Sequence, residues 1–450
     1  MLSDPIAAIA TAPGRAGVAL IRVSGTGAHD IAASVLKGFQ LEPRRTARLA
    51  EVVHPTSGEL LDRGLYVTYC APSSYTGEDV VELSTHGGLL VPAEVLGALI
   101  AAGARQAIPG EFTRRALESG KLDLLQAEAV SDLVDATAPE QRRAALGQLD
   151  RGLSHRIGDL REQILQLDAL VCYEIDFPEE DSGPIPPGEV EQAGEALEHR
   201  LTELLSSAGE GERLREGAVA VVAGRPNVGK SSLFNALLGT QRAIVTEIPG
   251  TTRDAIEAHA TCCGFPFRLI DTAGLRSSDD VVERMGVEVS HRYLESADVV
   301  VYCAEAGEEL TDEEHDFVQE SSAPVLVVRT KMDLQGGGGR RGTLEGDVSV
   351  SALTGEGVGV VRQRLAELAF TNLSTRGNVE PVVSRERHRV ALDRALGEIR
   401  EFRQARQEGL EVAVAATHLR AAVTALEDIV GLVSTEDVLD RVFASFCVGK

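Results

Sequence analysis

The sequence predicts a multidomain fold: an α+β domain, followed by an all-α domain into which a P-loop α/β domain is inserted. Three observations predict it. The chain has 450 residues, more than one typical domain holds, so two to four domains with separate cores are expected. The octapeptide Gly224-Arg225-Pro226-Asn227-Val228-Gly229-Lys230-Ser231 lies between an apolar strand-like run at 218–223 and a helical run at 232–238, the setting of a phosphate-cradling turn. The hydrophobic period also changes, from short β-like runs in the first part of the chain to helical spacing on both sides of the octapeptide region. The predicted domains are 1–118 (α+β), 119–216 (helical, first part), 217–376 (P-loop) and 377–450 (helical, second part).

In residues 1–118, β-like runs at 18–23, 66–69 and 80–84 alternate with Gly/Pro turns and one or two helical stretches. The longest apolar run, 89–104, is interrupted by Pro92 and Glu94 and falls short of a bilayer span, which predicts an amphipathic helix and no transmembrane segment. From 121 to 170, Leu, Ile, Val and Ala recur at three- and four-residue spacing. The pattern breaks at Phe177-Pro178 and the Pro/Gly-rich loop 182–188, and 189–214 is predicted to be a further helix. Residues 217–376 alternate strand and helix patterns, and helical periodicity returns from 384 onward. The run of four glycines at 336–339 is predicted to be a surface loop, because no strand–helix junction flanks it.

Composition narrows the function classes. Hydrophobic residues make up 43% and aromatics 4%, and Trp is absent, which suits aliphatic α/β and helical packing. A net charge of −25 argues against a broad nucleic-acid surface, since such affinity comes largely from Lys and Arg neutralising phosphates. Any RNA contact is then local or shared with a basic partner. Six cysteines, at 70, 172, 262, 263, 303 and 447, show no paired metal-ligand spacing, and the start lacks the basic region of a signal peptide. A reduced, cytoplasmic setting is expected.

Four motifs in order predict the nucleotide. In the octapeptide the glycines let backbone N–H groups approach phosphate oxygens, while Lys230 and Ser231 reach the terminal phosphates and Mg²⁺. Asp271-Thr272-Ala273-Gly274 follows a strand-like run at 267–270, where the carboxylate can reach Mg²⁺ through water and Gly274 can sense the γ-phosphate. Thr330-Lys331-Met332-Asp333 follows a buried-strand pattern at 325–328. A carboxylate there accepts both N–H groups of a guanine edge, a donor pair that adenine lacks. Ser351-Ala352-Leu353 completes the base pocket, so GTP is expected rather than ATP. Small GTPases commonly orient the attacking water with a Gln after the switch glycine, but Leu275 stands there and cannot. Asp279, Asp280 and Glu283 are the nearby candidates, and charge pattern alone does not choose among them.

With these residues in hand, the chain closely resembles the MnmE (TrmE) tRNA-modification GTPase family over its whole length. The marks are Pro13-Gly14-Arg15 with Ile21-Arg22-Val23-Ser24-Gly25, Ser74-Tyr75-Thr76-Gly77-Glu78-Asp79, His86-Gly87-Gly88, Pro109-Gly110-Glu111-Phe112-Thr113, Lys121-Leu122-Asp123-Leu124, and the end Phe446-Cys447-Val448-Gly449-Lys450. The resemblance implies an N-terminal domain that dimerises and binds a 5-formyl- or 5,10-methylene-tetrahydrofolate, with Arg22, Glu82, Lys121 and Lys450 matching the binding positions. Cations suit the folate carboxylates, and a carboxylate suits pterin N–H groups. It also implies a K⁺-stimulated GTPase in which Asn227 ligates K⁺ and backbone oxygens of Thr246, Ile248 and Thr251 complete the cage. The K⁺ supplies charge where an arginine finger otherwise would. Thr252 joins Ser231 on Mg²⁺, and Glu283 matches the catalytic, water-orienting glutamate beside Lys230. The expected GTP-binding set is then Asn227, Val228, Gly229, Lys230, Ser231 and Ser232; Thr246, Glu247, Ile248, Pro249, Gly250, Thr251 and Thr252; Asp271, Thr272, Ala273 and Gly274; and Thr330, Lys331, Asp333, Ser351, Ala352 and Leu353.

The implied partners are a second copy of the chain, a flavin-containing protein of MnmG/GidA type forming a heterotetramer, and tRNA bound largely through that protein, with no membrane. The implied activity is installation of a (carboxymethyl)aminomethyl group at carbon 5 of the wobble uridine, with GTP hydrolysis driving a conformational cycle. Cys447 reads either as a functional thiol or as a structural cysteine. Cys262-Cys263 reads as incidental, and His86 is given no role. Two rivals are a regulatory or ribosome-assembly GTPase, which leaves the folate-type domain without purpose, and a self-sufficient folate-dependent methyltransferase, for which no dinucleotide fingerprint is present.

Overall fold

The structure is a computed structural model that describes residues 4–41, 45–176, 188–239, 257–271, 293–334, 347–376, 382–432 and 436–450. The chain divides into two compact units, 1–131 with 427–450 and 132–426. None of the helices among the described residues is long and apolar enough to cross a membrane.

The first unit is built on a seven-stranded sheet of β1 (Ile6–Ile9), β2 (Val18–Ser24), β3 (Leu36–Lys37), β4 (Arg48–Val53), β5 (Leu60–Tyr69), β6 (Val80–His86) and β7 (Arg105–Gln106), in the order β3-β4-β5-β6-β2-β1-β7. Every neighbouring pair is antiparallel except β1–β7. Side chains alternate across a strand, so Ile21 and Val23 of β2 and Val81 and Leu83 of β6 face α1 (Ala28–Val35) and α2 (Leu90–Ala101) in one apolar core. Arg22 and Glu82, which face each other in register, project from the opposite side. On that side Phe112 of α3 (Glu111–Glu118) packs with Ile6 and Ala8 of β1, and Tyr75 leans on the cluster. Buried Glu111 ties α3 down by accepting from Arg105 at 2.6 Å, from Arg115 at 3.0 Å and from the Ile108 N–H at 2.9 Å. Burial alone would raise its pKa, but these bonds hold it below the usual carboxylate range.

Helix α4 (Leu124–Asp135) leads into the second unit. The helices there are α5 (Pro139–Leu149), α6 (Gly152–Asp176), α7 (Glu189–Ser206), α8 (Ala208–Glu216), α9 (Lys230–Leu238), α10 (Asp312–Glu320), α11 (Val358–Ala369), α12 (Thr371–Arg376), α13 (Glu386–Gln407) and α14 (Val412–Val430). Its sheet comprises β8 (Ala218–Gly224), β9 (Glu257–Cys262), β10 (Phe265–Asp271), β11 (Val299–Glu305), β12 (Val325–Thr330) and β13 (Val348–Ser349), in the order β13-β12-β11-β8-β10-β9. All pairs are parallel except β9–β10. Central β11 is buried from Val299 to Ala304, as expected for a strand covered on both faces. The helices preceding and following this sheet in sequence pack on each other: Glu198 of α7 accepts from Arg400 at 2.8 Å and pairs with Arg403 of α13, while Arg406 reaches Glu174 of α6 at 2.7 Å.

The chain then returns to the first unit through α15 (Glu436–Ala444), where Arg114 grips Glu436 at 2.7 Å and Asp440 at 2.8 Å. Phe443 and Phe446 bury against Ala127. The terminal residues run beside β1 and α3: the Gly110 N–H donates to Cys447 O at 3.4 Å and the Phe112 N–H to Lys450 O at 3.2 Å. Gly449 has φ +97°, and a Cβ there would lie 2.5 Å from Ile9 O, so only glycine fits.

One local expectation differs from the structure. The single helix predicted at 189–214 is two, α7 and α8, broken at Ser207. The break lets Gly211 lie against Val383 O, 2.1 Å from where a Cβ would be, and lets Glu210 accept the Asn372 and Leu373 N–H groups at α12. Residues 121–170, read as helical, are helical in three pieces, α4, α5 and α6, interrupted before Pro139 and at Arg151, which has φ +64°. Strands β1 and β4 had no strong alternation and were not anticipated. The four-glycine run lies outside the described residues.

Candidate functional site

The octapeptide occupies the junction between β8 and α9, where a parallel sheet places ligands: β8 has β10 on one side and β11 on the other, so the connections diverge there. The backbone explains the glycines. Gly224 has φ +134°, and a Cβ would stand 2.3 Å from Cys303 O; Gly229 has φ +104° and precedes the first turn of α9. Asn227 is also left-handed, with φ +60°. The loop therefore curls its N–H groups toward a common centre at a helix N-terminus, an anion cradle before any side chain is added. Lys230, 7% exposed, donates to the loop carbonyls of Gly224 at 3.0 Å and Arg225 at 2.7 Å, which holds its ammonium across the cradle.

Ser231 Oγ donates to Asp271 Oδ2 at 2.7 Å. A hydroxyl and a carboxylate meeting at the phosphate end of a cradle form the all-oxygen donor set that suits Mg²⁺. On the base side, Ser351 is buried and donates to Asp333 Oδ1 at 2.7 Å, which fixes the carboxylate that the sequence assigned to guanine. Thr330, in the place where Asn is commoner, donates to Val228 O and, at 3.2 Å, to Ala304 O. It therefore ties the base strand to the phosphate loop with its hydroxyl. Lys331 has φ +59° and pairs with Glu305 at 2.7 Å, and Leu353 is 84% exposed.

Three residues near the site were not anticipated. Arg225 donates to Glu314 at 2.6 Å, Tyr302 OH donates to the same carboxylate at 2.8 Å, and the Thr311 N–H donates at 2.8 Å. Burial would raise the Glu314 pKa, yet the bonds from Arg225, Thr311 and Tyr302 bring it down to about 2. The available signal was the capping box from Thr311 to Glu314 at the start of α10, which marks a helix start but not the tie to the loop. Burial pushes the Cys262 thiol up to about 12.

In the first unit Arg22 donates to Glu82 Oε1 at 2.9 and 2.7 Å, with its guanidinium 5.5 Å from the ring centroids of both Tyr75 and Phe112. Tyr69 OH donates to Glu82 Oε2 at 3.2 Å, and Arg22 Nη1 reaches Gly449 O at 3.5 Å. Lys450 is brought to α3 by its backbone, and the Lys121 stem lies 3.6 Å from where a Cβ on Gly77 would be. Thus Arg22, Glu82 and the C-terminal tail, distant in sequence, meet on one face of the sheet. Cys447 is exposed, so packing does not hold it. Thr246, Glu247, Ile248, Pro249, Gly250, Thr251, Thr252, Thr272, Ala273, Gly274, Leu275 and Glu283 lie outside the described residues.

Nothing in the cradle, the Ser231–Asp271 pair or the Asp333 pocket is peculiar to one pathway; they define a class, the P-loop GTPases. The family model of the MnmE helical domain matches residues 124–447, and that of the GTP-binding protein TrmE N-terminus matches residues 5–121. A tRNA modification GTPase MnmE of Heliobacterium modesticaldum is 40% identical over the full length of both chains, and one of Aquifex aeolicus is 41% identical with the same full coverage. The G domain of the T. maritima FeoB iron transporter is 26% identical, covering 34% of this chain and 98% of that one, with a TM-score of 0.25. The chain belongs to the MnmE family of tRNA modification GTPases.

Proposed function

We propose that this chain is a cytoplasmic, K⁺-stimulated GTP hydrolase. As a homodimer it works with a flavin-containing partner of MnmG/GidA type to install a (carboxymethyl)aminomethyl group at carbon 5 of the tRNA wobble uridine. A bound tetrahydrofolate supplies the one-carbon unit. The observation that carries this reading is the convergence of Arg22, Glu82 and the Gly449-Lys450 tail on one wall, lined by Tyr69, Tyr75 and Phe112, in a chain that also holds a GTP cradle. A GTPase that served only as a switch has no use for such a wall.

The donor sets fit the expected groups. Glu82 Oε2, approached by one hydroxyl at 3.2 Å, can accept from pterin N–H groups, while Arg22, Lys121 and Lys450 supply cations for the folate carboxylates. Ser231, with Thr252, holds Mg²⁺, and Asp271 supports it. Asn227 contributes to K⁺, whose charge offsets that developing on the transferred phosphoryl group. Lys230 positions the terminal phosphate, and Glu283 orients the attacking water. The domain arrangement in this reading is the GTPase domain 217–376 inserted between helical parts 119–216 and 377–450, after the folate domain 1–118. The contacts of α7 and α6 with α13 support the insertion. Closing and opening of paired GTPase domains, set by the γ-phosphate, then rearranges the helical domain.

Mass spectrometry of wobble uridines from a strain lacking the chain tests the modification: loss of the aminomethyl class of modification is expected, and an unchanged profile refutes it. The cation mechanism is tested separately. Replacing K⁺ with Na⁺ lowers turnover, and Glu283→Gln lowers it with GTP affinity retained; equal rates in the two salts break the K⁺ assignment.

A further inference from the structure

We infer that His29, Cys70 and Asp79 form a site for a zinc-like divalent cation in the first unit, separate from the Mg²⁺ and K⁺ positions of the GTPase. The three residues come from different elements, α1, the turn after β5 and the residue before β6. One donor atom from each lies within 4.8 Å of the other two, and it is the one such trio of His, Cys or acidic residues among the described residues. The imidazole is without a hydrogen bond. Its Nδ1 stands 3.6 Å from Asp79 Oδ2, and its Nε2 is buried with no partner. A separation of 3.6 Å is too long for a hydrogen bond. It is close to the edge of about 3.3 Å between two light-atom ligands at normal zinc distances in a tetrahedron. A cation bound through Nδ1 would hold the imidazole to the Asp79 side by a bond that the 3.6 Å separation does not supply.

The surroundings also hold the donors in place. The Ala71 N–H donates to Asp79 Oδ1 at 2.9 Å, which orients the carboxylate and leaves Oδ2 turned to the imidazole. The Ser73 N–H donates to Cys70 O at 2.8 Å and fixes the turn that carries the thiol. His29 lies against Phe39 at 6.4 Å between ring centroids, and Phe39 stacks on Tyr66 at 5.3 Å. Thiolate, imidazole and carboxylate together favour Zn²⁺ or Co²⁺ over Mg²⁺ or Ca²⁺, which take oxygen donors. Thiolate and carboxylate also cancel the charge of a divalent ion. With His29 15% and Asp79 38% exposed, the fourth position is left to water. The spacing 29, 70, 79 matches no metal motif, so the site exists only in three dimensions.

Full-length protein dialysed against EDTA and titrated with Co²⁺ tests the site. One tightly bound Co²⁺ per chain is expected, with a thiolate-to-cobalt charge-transfer band that Zn²⁺ displaces. Cys70→Ser abolishes the band, Cys263→Ser and Cys447→Ser keep it, and His29→Ala and Asp79→Asn each weaken binding about 10–100-fold. Far-UV circular dichroism and GTP hydrolysis confirm that each variant is folded. Absence of stoichiometric binding by the folded protein, or a band that survives Cys70→Ser or is indifferent to both His29→Ala and Asp79→Asn, overturns the inference.

Discussion

The two sheets place their chemistry in different ways. In the parallel sheet, β11 is buried along nearly its whole length, and the side chains of the phosphate and base motifs gather in loops at strand ends. In the antiparallel sheet, one face is apolar and the other carries Arg22 and Glu82 in mid-strand, directly opposite each other. A loop site is written in consecutive residues, because the backbone itself cradles the phosphate. A mid-strand site draws one residue from each of several strands and needs a cover, here Tyr75, Phe112 and the C-terminal tail.

If the sites are as independent as this contrast implies, changes should separate them. The largest effect belongs to Lys230→Ala, which removes the cation held over Gly224 O and Arg225 O. GTP turnover should fall on the order of 10²–10³-fold or more, as when a charge-stabilising donor is lost. Phosphate release measures it, and calorimetry with a tetrahydrofolate should find binding retained; joint loss would break the comparison. Next is Gly449→Val, whose added carbon meets Ile9 O at 2.5 Å at φ +97°. The strain, about 1–3 kcal/mol, should displace the tail and lower folate affinity about tenfold or more, with GTP affinity unchanged. Thr330→Val is the corresponding test in the nucleotide unit. It leaves Val228 O and Ala304 O without their hydroxyl donor, at a cost of about 1–3 kcal/mol, and should raise KM for GTP more than it lowers kcat in steady-state assays.

The smallest effect is one of pH. The Glu314 carboxyl sits at about 2 in the fold, below its ordinary 4.5. A depressed carboxyl adds stability that is fully present above its unfolded pKa and is lost as pH falls through the folded value. The urea midpoint of the full chain should therefore decline between pH 4.5 and about 2, and Glu314→Gln should flatten that part of the curve. An unaltered curve would mean that the tie from α10 to Arg225 contributes nothing to the nucleotide unit.

Legibility in the sequence follows the same contrast. The β8–α9 cradle, the Ser231–Asp271 pair and the Asp333–Ser351 pair all lie where the motifs put them, because each is a short segment at a strand end. Glu314 was readable as a helix cap, but its bond to Arg225 spans 89 positions and left no local trace. The break between α7 and α8 was hidden for a similar reason: the periodicity there is continuous, and the close approach of Gly211 to Val383 decides it. Arg22 and Glu82 were marked by the family resemblance and by no local pattern, and their pairing shows only in the register of β2 with β6.

The sequence by itself determined the GTPase class, the family, and the placing of the phosphate-loop motif and its companion motifs at strand ends. These rest on glycines with positive φ and on neighbours a few bonds apart, and backbone sterics act at that range. Only the tertiary structure decided that residue 449 lies against residue 9, that Arg22 faces Glu82 under two aromatic rings, and that His29, Cys70 and Asp79 meet. Those contacts depend on strand pairing and core packing between residues remote in sequence, which no local pattern encodes.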